Sequence, residues 1–512
     1  MSRALAVLRA DASRAIGTGH VVRSLALAEF LARAGWRIVF AQSGDSLAAS
    51  PSAIERYERI TLGAADAEAE AVELGRRLGA CELLVVDHYG RDRRFETACR
   101  DWARQILVLD DLADRPHGCA VLVDAAREPG GADYRGLVPA DCTLLLGPDF
   151  ALLRDQFLAA RQRARLRRQT ARAPERIVIS IGGIDAADVT SRALAAALQA
   201  APQAAIDVVL GRAAPHLDRL RSLVEASRRP VRLLSDVADM AALLAEADIG
   251  IGAAGSSAWE RCCLGLPSIV LPVVDNQGPT VDLLEKRGAA LILPQGARAT
   301  ASEIADALKR LLGDARLRGT LSERSMALCD GRGGWRVLLA LLPEERARDG
   351  RPVSLRLAER SDCDLMFAWQ TMPEVRRYAR YPELPSLAEH VAWVEASLTR
   401  PDRVLTLILH DGLPVGVLRF DRLDATPIQE ISILLDPRLH GRGIAAAALR
   451  LGQNLFRGAV LHAEVDPANT ASRRLFQQAG FHAIDARRFD WSHEPQTIDP
   501  TAPTSAAAEV SP

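Results

Sequence analysis

Between the apolar run Ala4 to Leu8 and a long helical pattern lies Asp11-Ala-Ser-Arg-Ala-Ile-Gly-Thr-Gly-His20-Val-Val-Arg23, and this stretch constrains the fold more than any other. An apolar run that gives way to glycines and then to a 3.6-residue period reads as strand, loop and helix, the unit of parallel α/β sheets. Gly17 and Gly19 let the backbone come close to a bound group, and His20 and Arg23 fall in the first turns of the helix. Free N–H groups at a helix start suit phosphate or a developing negative charge, and they bias a histidine toward the neutral form that can act as a base. Tight-turn glycines beside a solvated histidine are the plainer alternative. The stretch lacks the Gly-Lys-Ser/Thr of a Walker loop, and its spacing is not the full dinucleotide fingerprint.

The unit recurs. Arg37 to Gln42 reads as a second strand and Ala64 to Leu78 as a helix; Cys81-Glu-Leu-Leu-Val-Val, Ile106-Leu-Val-Leu and Val121-Leu-Val are apolar strands. Short apolar strands alternating with helical spans predict a parallel sheet covered on both faces. Polar residues follow the strands at Asp87, His88 and Tyr89, at Asp110 and Asp111, and at Asp124, where open α/β sheets put their sites. Such carboxylates can equally cap helices or hold loops. The basic run Arg161 to Arg172 reads as a solvated connecting helix rather than a nucleic-acid site.

A second lobe begins after Pro174 with Arg176-Ile-Val-Ile-Ser180-Ile-Gly182-Gly183, a strand followed by a glycine loop, and a helix is expected to open near Thr190. Its most informative segment is Asp248-Ile-Gly-Ile-Gly252-Ala-Ala-Gly255-Ser256-Ser257-Ala-Trp259-Glu260. Small residues at a strand end permit close approach. Backbone N–H groups and the hydroxyls of Ser256 and Ser257 can hold phosphate oxygens, and Glu260, one helical turn on, can accept both hydroxyls of a ribose. Locally, Gly255 to Ser257 could instead be an N-cap turn with Glu260 as its capping-box partner.

The wider pattern Asp11-x5-Gly17-x-Gly19-His20-x-x-Arg23-x-Leu25-x-Leu27-Ala28 resembles the opening of the UDP-sugar hydrolases of pseudaminic acid biosynthesis, a family similar to the MurG-type, two-lobed GT-B glycosyltransferases. The runs around Asp87, His88 and Tyr89, from Leu109 to Arg115 and from Leu146 to Arg154 resemble the same family. So does Gly-Ser-Ser-x-x-Glu followed by Leu266-Pro267 and Asp275-Asn276-Gln277, where the family often has Glu-Asn-Gln. The resemblance covers about residues 1–345. It implies that a UDP-linked sugar lies between two lobes, that Glu260 holds ribose, that Asn276 and Gln277 face the sugar or diphosphate, and that Asp11 belongs to the substrate site.

A third domain follows the break at Glu344 to Pro352. Strands expected at Thr406 to Leu409, Gly416 to Phe420 and Glu430 to Leu435 lead into Asp436-Pro-Arg438-Leu-His-Gly441-Arg442-Gly443-Ile444-Ala445, a glycine loop opening a helix. Successive N–H groups there can embrace a pyrophosphate, with Arg438 and Arg442 adding charge. Arg438-x-x-Gly441-x-Gly443-x-Ala445 resembles the coenzyme A loop of the Gcn5-related (GNAT) acetyltransferases. The run from Val465 through Asn469, Ser472, Phe476 and Gly480 resembles their closing helix and strand, over about 354–492. The resemblance implies acetyl-CoA as co-substrate, with Asn469 and Ser472 near the cofactor arm. Phe476 stands where that family often has the tyrosine that protonates the leaving thiolate, and phenylalanine cannot donate a proton. Glu430 is the candidate base for the amine; a structural carboxylate is the alternative.

The formal charge of -1, from 64 basic and 65 acidic residues, implies neither nucleic acid nor an anionic membrane as partner. With no 18-residue apolar run and no signal-peptide pattern, the sequence reads as cytoplasmic. Its eight cysteines lack paired metal spacing and read as reduced, buried thiols, so no metal is expected. The expected architecture is α/β: a Rossmann-like lobe over 1–158, a nucleotide-binding lobe over 173–343, an α+β GNAT domain over 354–492 and a disordered tail over 493–512, with the first two lobes able to fold without the third. The function these resemblances imply is acetylation of a UDP-linked 4-amino sugar followed by hydrolytic release of UDP. A glycosyltransferase with an accessory acetyltransferase domain, or a nucleotide-sugar sensor, is the alternative. The sequence does not give an oligomeric state.

Overall fold

The computed structural model describes residues 4–13, 16–46, 50–63, 66–170, 172–227, 229–423 and 428–493. Of the expected tail over 493–512, all but His493 lies outside the described residues.

The first lobe carries parallel strands β1 (Leu5–Ala10), β2 (Arg37–Ser43), β3 (Glu58–Leu62), β4 (Leu83–Asp87), β5 (Ile106–Leu109), β6 (Val121–Asp124) and β7 (Thr143–Leu146), in the order β3-β2-β1-β4-β5-β6-β7. All residues of β1 and β4 are buried, which explains why these strands read as unbroken apolar runs rather than alternating ones. The second lobe repeats the design with β8 (Arg176–Ser180), β9 (Ala205–Val209), β10 (Val231–Leu234), β11 (Ile249–Ala253), β12 (Ser268–Leu271) and β13 (Leu291–Ile292), ordered β10-β9-β8-β11-β12-β13. In each sheet the strand order reverses beside the first strand, between β1 and β4 and between β8 and β11. A crevice opens at such a switch point, and the loops after β1 and β11 line a single cleft.

The third sheet holds β14 (Glu345–Arg346), β15 (Pro352–Leu357), β16 (Arg403–His410), β17 (Leu413–Arg422), β18 (Ile428–Leu435), β19 (Val460–Glu464), β20 (His482–Ala483) and β21 (Arg488–Trp491). Neighbours are antiparallel except β18 and β19, which pair in parallel only over Ile428–Glu430 and Val460–His462. Beyond Glu430 the two strands part, and the glycine loop and helix Ile444–Leu455 follow β18 at that opening.

Three expectations change. The basic run belongs to helix Asp155–Gln169, and this helix is packed, not solvated: Phe157, Ala160 and Ala164 join a core with Leu244 and Trp259 of the second lobe. Its arginines have specific work. Arg161 donates to the carbonyls of Cys263, Met326 and Cys329 at 2.5, 2.8 and 2.7 Å, and Arg168 donates to Leu244 and Gly265, so guanidinium groups occupy carbonyls left free around helix ends. Second, the lobe boundaries move. Helix Asp155–Gln169 sits on the second lobe, whereas helix Gly333–Ala340 crosses back to the first, where Trp335 meets Phe30 edge-on at 5.4 Å.

Third, the third domain is not a separate body. Trp335 also contacts Phe456 at 5.7 Å, and one continuous apolar cluster runs from Leu8 and Phe30 through Val337 to Phe420 and Leu449. Arg332, buried, donates to the Ala358 carbonyl, and Arg33 donates to that of Pro401. Removing residues beyond 345 would uncover this shared core, so folding of the first two lobes alone is not what the packing supports. The eight cysteines are free thiols, buried apart from half-buried Cys142. Among the described residues no helix is long and apolar enough to cross a membrane.

Candidate functional site

A cleft of about 1050 Å³ lies between the first two lobes. Helix Gly19–Arg33 opens on its wall and places His20 in its first turn. The imidazole is 3% exposed; neither ring nitrogen has a hydrogen-bond partner among the described residues. Nδ1 lies 3.9 Å from an oxygen of Asp87, and the ring meets Tyr89 edge-on with centroids 4.3 Å apart. Burial pushes the His20 pKa below its ordinary value; Asp87 opposes that shift and Arg23 adds to it. His20 is therefore neutral at neutral pH, with a free nitrogen to accept a proton.

Arg23, one turn further, grips Asp87 with Nε and Nη2 at 2.8 and 2.6 Å and reaches Asp111 with Nη1 at 2.9 Å. This two-pronged grip fixes the carboxylate next to His20. Asp87, fully buried, does not itself line the cleft. Asp11 and His88, expected to touch substrate, do not line it either: Asp11 accepts the Ser43 N–H at 2.8 Å and pairs with Arg9 at 2.8 Å and His88 at 3.3 Å. Burial opposes ionisation of Asp11, yet His88 and Arg9 hold its carboxyl well below the usual range. In this structure these residues brace the loops after β1 and β4, because Arg9 goes on to bind Glu70 and Glu70 binds Arg91.

From the second lobe, helix Ser256–Cys263 presents its start to the cleft. Its N-cap is Gly255, with no side chain to cap, and Glu260 makes no capping box. The local alternative for Glu260 is thereby excluded. Glu260 is 9% exposed, has no hydrogen-bond partner among the described residues, and has its pKa raised by burial against the pull of Arg154 and Arg261. A buried carboxylate without a partner is costly, and that cost is recovered where a ligand supplies donors. Gln277 is held by the Val273 N–H at 2.9 Å, while Asn276 donates to the Tyr89 hydroxyl at 2.7 Å and so bridges the lobes. Gly183 comes so close to Thr18 that an added Cβ would lie 2.8 Å from its Oγ1.

Thus Gly17, Gly19, His20, Arg23, Tyr89, Gly183, Gly255, Ser256, Ser257, Glu260, Asn276 and Gln277 share one cleft. Thr18 and Arg154 also line it without having been selected from the sequence, and Asp111 and Asp124, noted there as strand-end carboxylates but given no role in binding, line it too. Their signal was positional: Thr18 lies inside the glycine loop, Asp111 and Asp124 end strands, and Arg154 closes the exit segment of the first lobe. Asp124 and Asp110 lie 2.8 and 3.0 Å from the Tyr134 hydroxyl, and burial raises the Asp124 pKa to about 6.

In the third domain Gly441 and Gly443 take φ values of +80 and +81°, backbone that favours glycine, and Gly443 is the N-cap of helix Ile444–Leu455, with Ala445 its second residue. Arg438 is already paired with Asp436 at 2.6 Å. Asn469 caps helix Thr470–Gln478 by accepting the Ser472 N–H at 3.1 Å. Glu430 stands where β18 and β19 part, and its carboxylate accepts Arg380 Nη2 at 3.1 Å; Arg380 also binds Glu464 at 2.7 Å. Phe476 is buried against Phe481 and Phe489. Among the described residues no cluster of three or more His, Cys, Asp or Glu side chains is arranged to hold a metal ion.

Two facing parallel-sheet lobes around a cleft, joined to a mixed sheet that splits beside a glycine loop, define an α/β protein of GT-B type with an acetyltransferase domain. The acetyltransferase (GNAT) domain family matches residues 353–482. The chain is 30% identical over 214 residues to the spore coat polysaccharide biosynthesis protein SpsG of Bacillus subtilis, a match covering 41% of this chain and 62% of that protein. It is 27% identical over 286 residues to the UDP-2,4-diacetamido-2,4,6-trideoxy-beta-L-altropyranose hydrolase of Campylobacter jejuni, covering 55% of this chain and 96% of the relative. An uncharacterised protein of Methanocaldococcus jannaschii is 22% identical over 506 residues, 94% of this chain and 98% of its own. Over its first two lobes the chain is similar to that hydrolase, and beyond them it carries a GNAT acetyltransferase domain.

Proposed function

We propose that the two lobes hydrolyse a UDP-linked, diacetylated trideoxy sugar to free sugar and UDP, and that the GNAT domain makes their substrate by transferring acetyl from acetyl-CoA to the 4-amino group of the UDP-sugar precursor. The observation that carries the reading is the buried His20 in the cleft wall, without a hydrogen-bond partner among the described residues, facing a lobe whose helix start and buried Glu260 suit a nucleoside diphosphate. With Asp87 near Nδ1, Nε2 is the nitrogen left to accept a proton. It takes one from a water whose oxygen attacks the anomeric carbon while the bond from that carbon to the phosphate oxygen breaks. UDP leaves with the bond electrons, its charge met by the N–H groups that open helix Ser256–Cys263, and the proton on His20 passes to solvent. Water is consumed, and sugar and UDP are the products.

For acetyl transfer the sugar amine attacks the thioester carbonyl, the carbon–sulfur bond breaks, and coenzyme A leaves as thiolate. Glu430 takes the amine proton once Arg380 releases it, and water protonates the thiolate because Phe476 offers no proton.

Time-resolved mass analysis tests both steps: the full chain is given a UDP-2-acetamido-4-amino-2,4,6-trideoxy sugar with and without acetyl-CoA. Acetyl gain followed by free sugar and UDP is expected. Sugar conjugated to an added acceptor would make the lobes a glycosyltransferase, and unchanged ligand would make them a sensor.

A further inference from the structure

The chain enters the third domain through the hairpin of β14 and β15, and the turn of that hairpin lies on the coenzyme A loop. The Arg348 N–H donates to the Arg442 carbonyl at 2.9 Å, and Arg348 Nη1 donates to the Gly441 carbonyl at 3.1 Å. The hairpin is anchored a second time, because Glu345 accepts Arg450 Nε and Nη2 of helix Ile444–Leu455 at 2.9 and 2.7 Å. The approach is close enough that a Cβ on Gly443 would fall 2.8 Å from Arg348 Cγ.

In a trans peptide the carbonyl of one residue and the N–H of the next point in opposite directions. Holding the carbonyls of Gly441 and Arg442 toward the hairpin therefore turns the N–H groups of Arg442 and Gly443 to the far side. Successive N–H groups aimed the same way form an anion-binding nest. A loop fixed in that form before the ligand arrives does not have to be ordered when it binds.

We propose that Arg348, outside the residues matched to the acetyltransferase family, is a positioning residue for the pyrophosphate of coenzyme A, acting through the two carbonyls it holds. This rests on the acetyl-CoA reading of the loop. It makes the connection between the hydrolase-like lobes and the third domain part of the cofactor site.

Calorimetry on the full chain tests it with two probes, coenzyme A and pantetheine, the latter lacking pyrophosphate and nucleotide. Wild type is expected to prefer coenzyme A. Arg348→Ala keeps the main-chain bond and loses the other, so coenzyme A affinity should fall about tenfold, the scale of one hydrogen bond that orders a charged site, with pantetheine unaffected. Arg348→Gln, which keeps a donor without the charge, should stay close to wild type. Equal losses for both probes would show general damage, no loss in Arg348→Ala would remove the role, and a Gln variant as weak as the Ala variant would make Arg348 a direct charge contact; each overturns the proposal. Wild type binding both probes alike would instead overturn the reading of the loop itself.

Discussion

Gly35 and Gly458 meet backbone to backbone: the Gly458 N–H donates to the Ala34 carbonyl at 3.1 Å, and a Cβ on either glycine would lie 2.1 Å from an atom of the other. Gly35 ends the turn after helix Gly19–Arg33, and Gly458 ends the turn after helix Ile444–Leu455. Only two residues without side chains allow the first lobe and the third domain to pack at this distance.

Gly458→Ala should therefore destabilise the full chain by about 1–3 kcal/mol, the usual cost of overpacking. Thermal unfolding would show a lower midpoint. An unchanged midpoint would mean that the domains part easily.

His20→Ala should lower turnover of UDP-sugar by about 10²–10⁴-fold, the range for loss of a general base, with UDP affinity nearly unchanged. The pH profile carries a sign as well. Because burial lowers the His20 pKa, the acid limb of kcat/KM should fall below the ordinary histidine pKa of about 6.5, as protonation removes the base. An acid limb above that value would point to another base.

Glu260→Gln separates binding from stability. Burial raises the Glu260 pKa despite Arg154 and Arg261, so removing a buried carboxylate that has no hydrogen-bond partner should raise the melting temperature at neutral pH, while UDP affinity should weaken by about 1–3 kcal/mol in calorimetry as the ribose contact is lost. Loss of stability together with unchanged affinity would return Glu260 to a structural role.

Asp124→Asn should stabilise the protein above pH 6. In the folded chain the Asp124 pKa is raised by burial to about 6, so the native state binds the proton more readily than the unfolded chain, and stability contributed by the protonated form is lost as pH rises through that value. The Asn side chain escapes this loss while still accepting from the Tyr134 hydroxyl. The gain, at most ~3 kcal/mol from a shift of about two pKa units, should vanish as pH falls toward 4, which melting at pH 4.5 and 8 would show.

Much of this was legible in the sequence for a definable reason. The inner strands β1, β4, β5 and β6 of the first sheet and β11 and β12 of the second are buried throughout, so they stand out as apolar runs, and a strand-end glycine loop such as Gly17 to Gly19 marks where period and direction change. The residues singled out at strand ends and helix starts, His20, Tyr89, Gly255 and Asn276, do converge on one cleft. What composition and period do not carry is the partner. Arg161 and Arg168 looked solvated because arginine is charged, but a guanidinium is also a carbonyl cap, and the carbonyls it serves lie about a hundred residues or more away in the chain for Arg161. Trp335 and Phe456 looked like the cores of two domains because nothing local says that they touch. Asp11 and His88 looked like ligands because a polar strand end can face either the cleft or the neighbouring loop.

The helix Gly333–Ala340, wedged between Phe30 and Phe456, also divides the molecule by packing rather than by sequence order. The first lobe and the third domain share one core and so form a single frame, to which the second lobe is covalently joined at the crossings 147–154 and 329–332. The cleft therefore lies between that frame, which carries His20 and Tyr89, and the half bearing Glu260 and Asn276, and the Asn276 to Tyr89 hydrogen bond ties the two together across it.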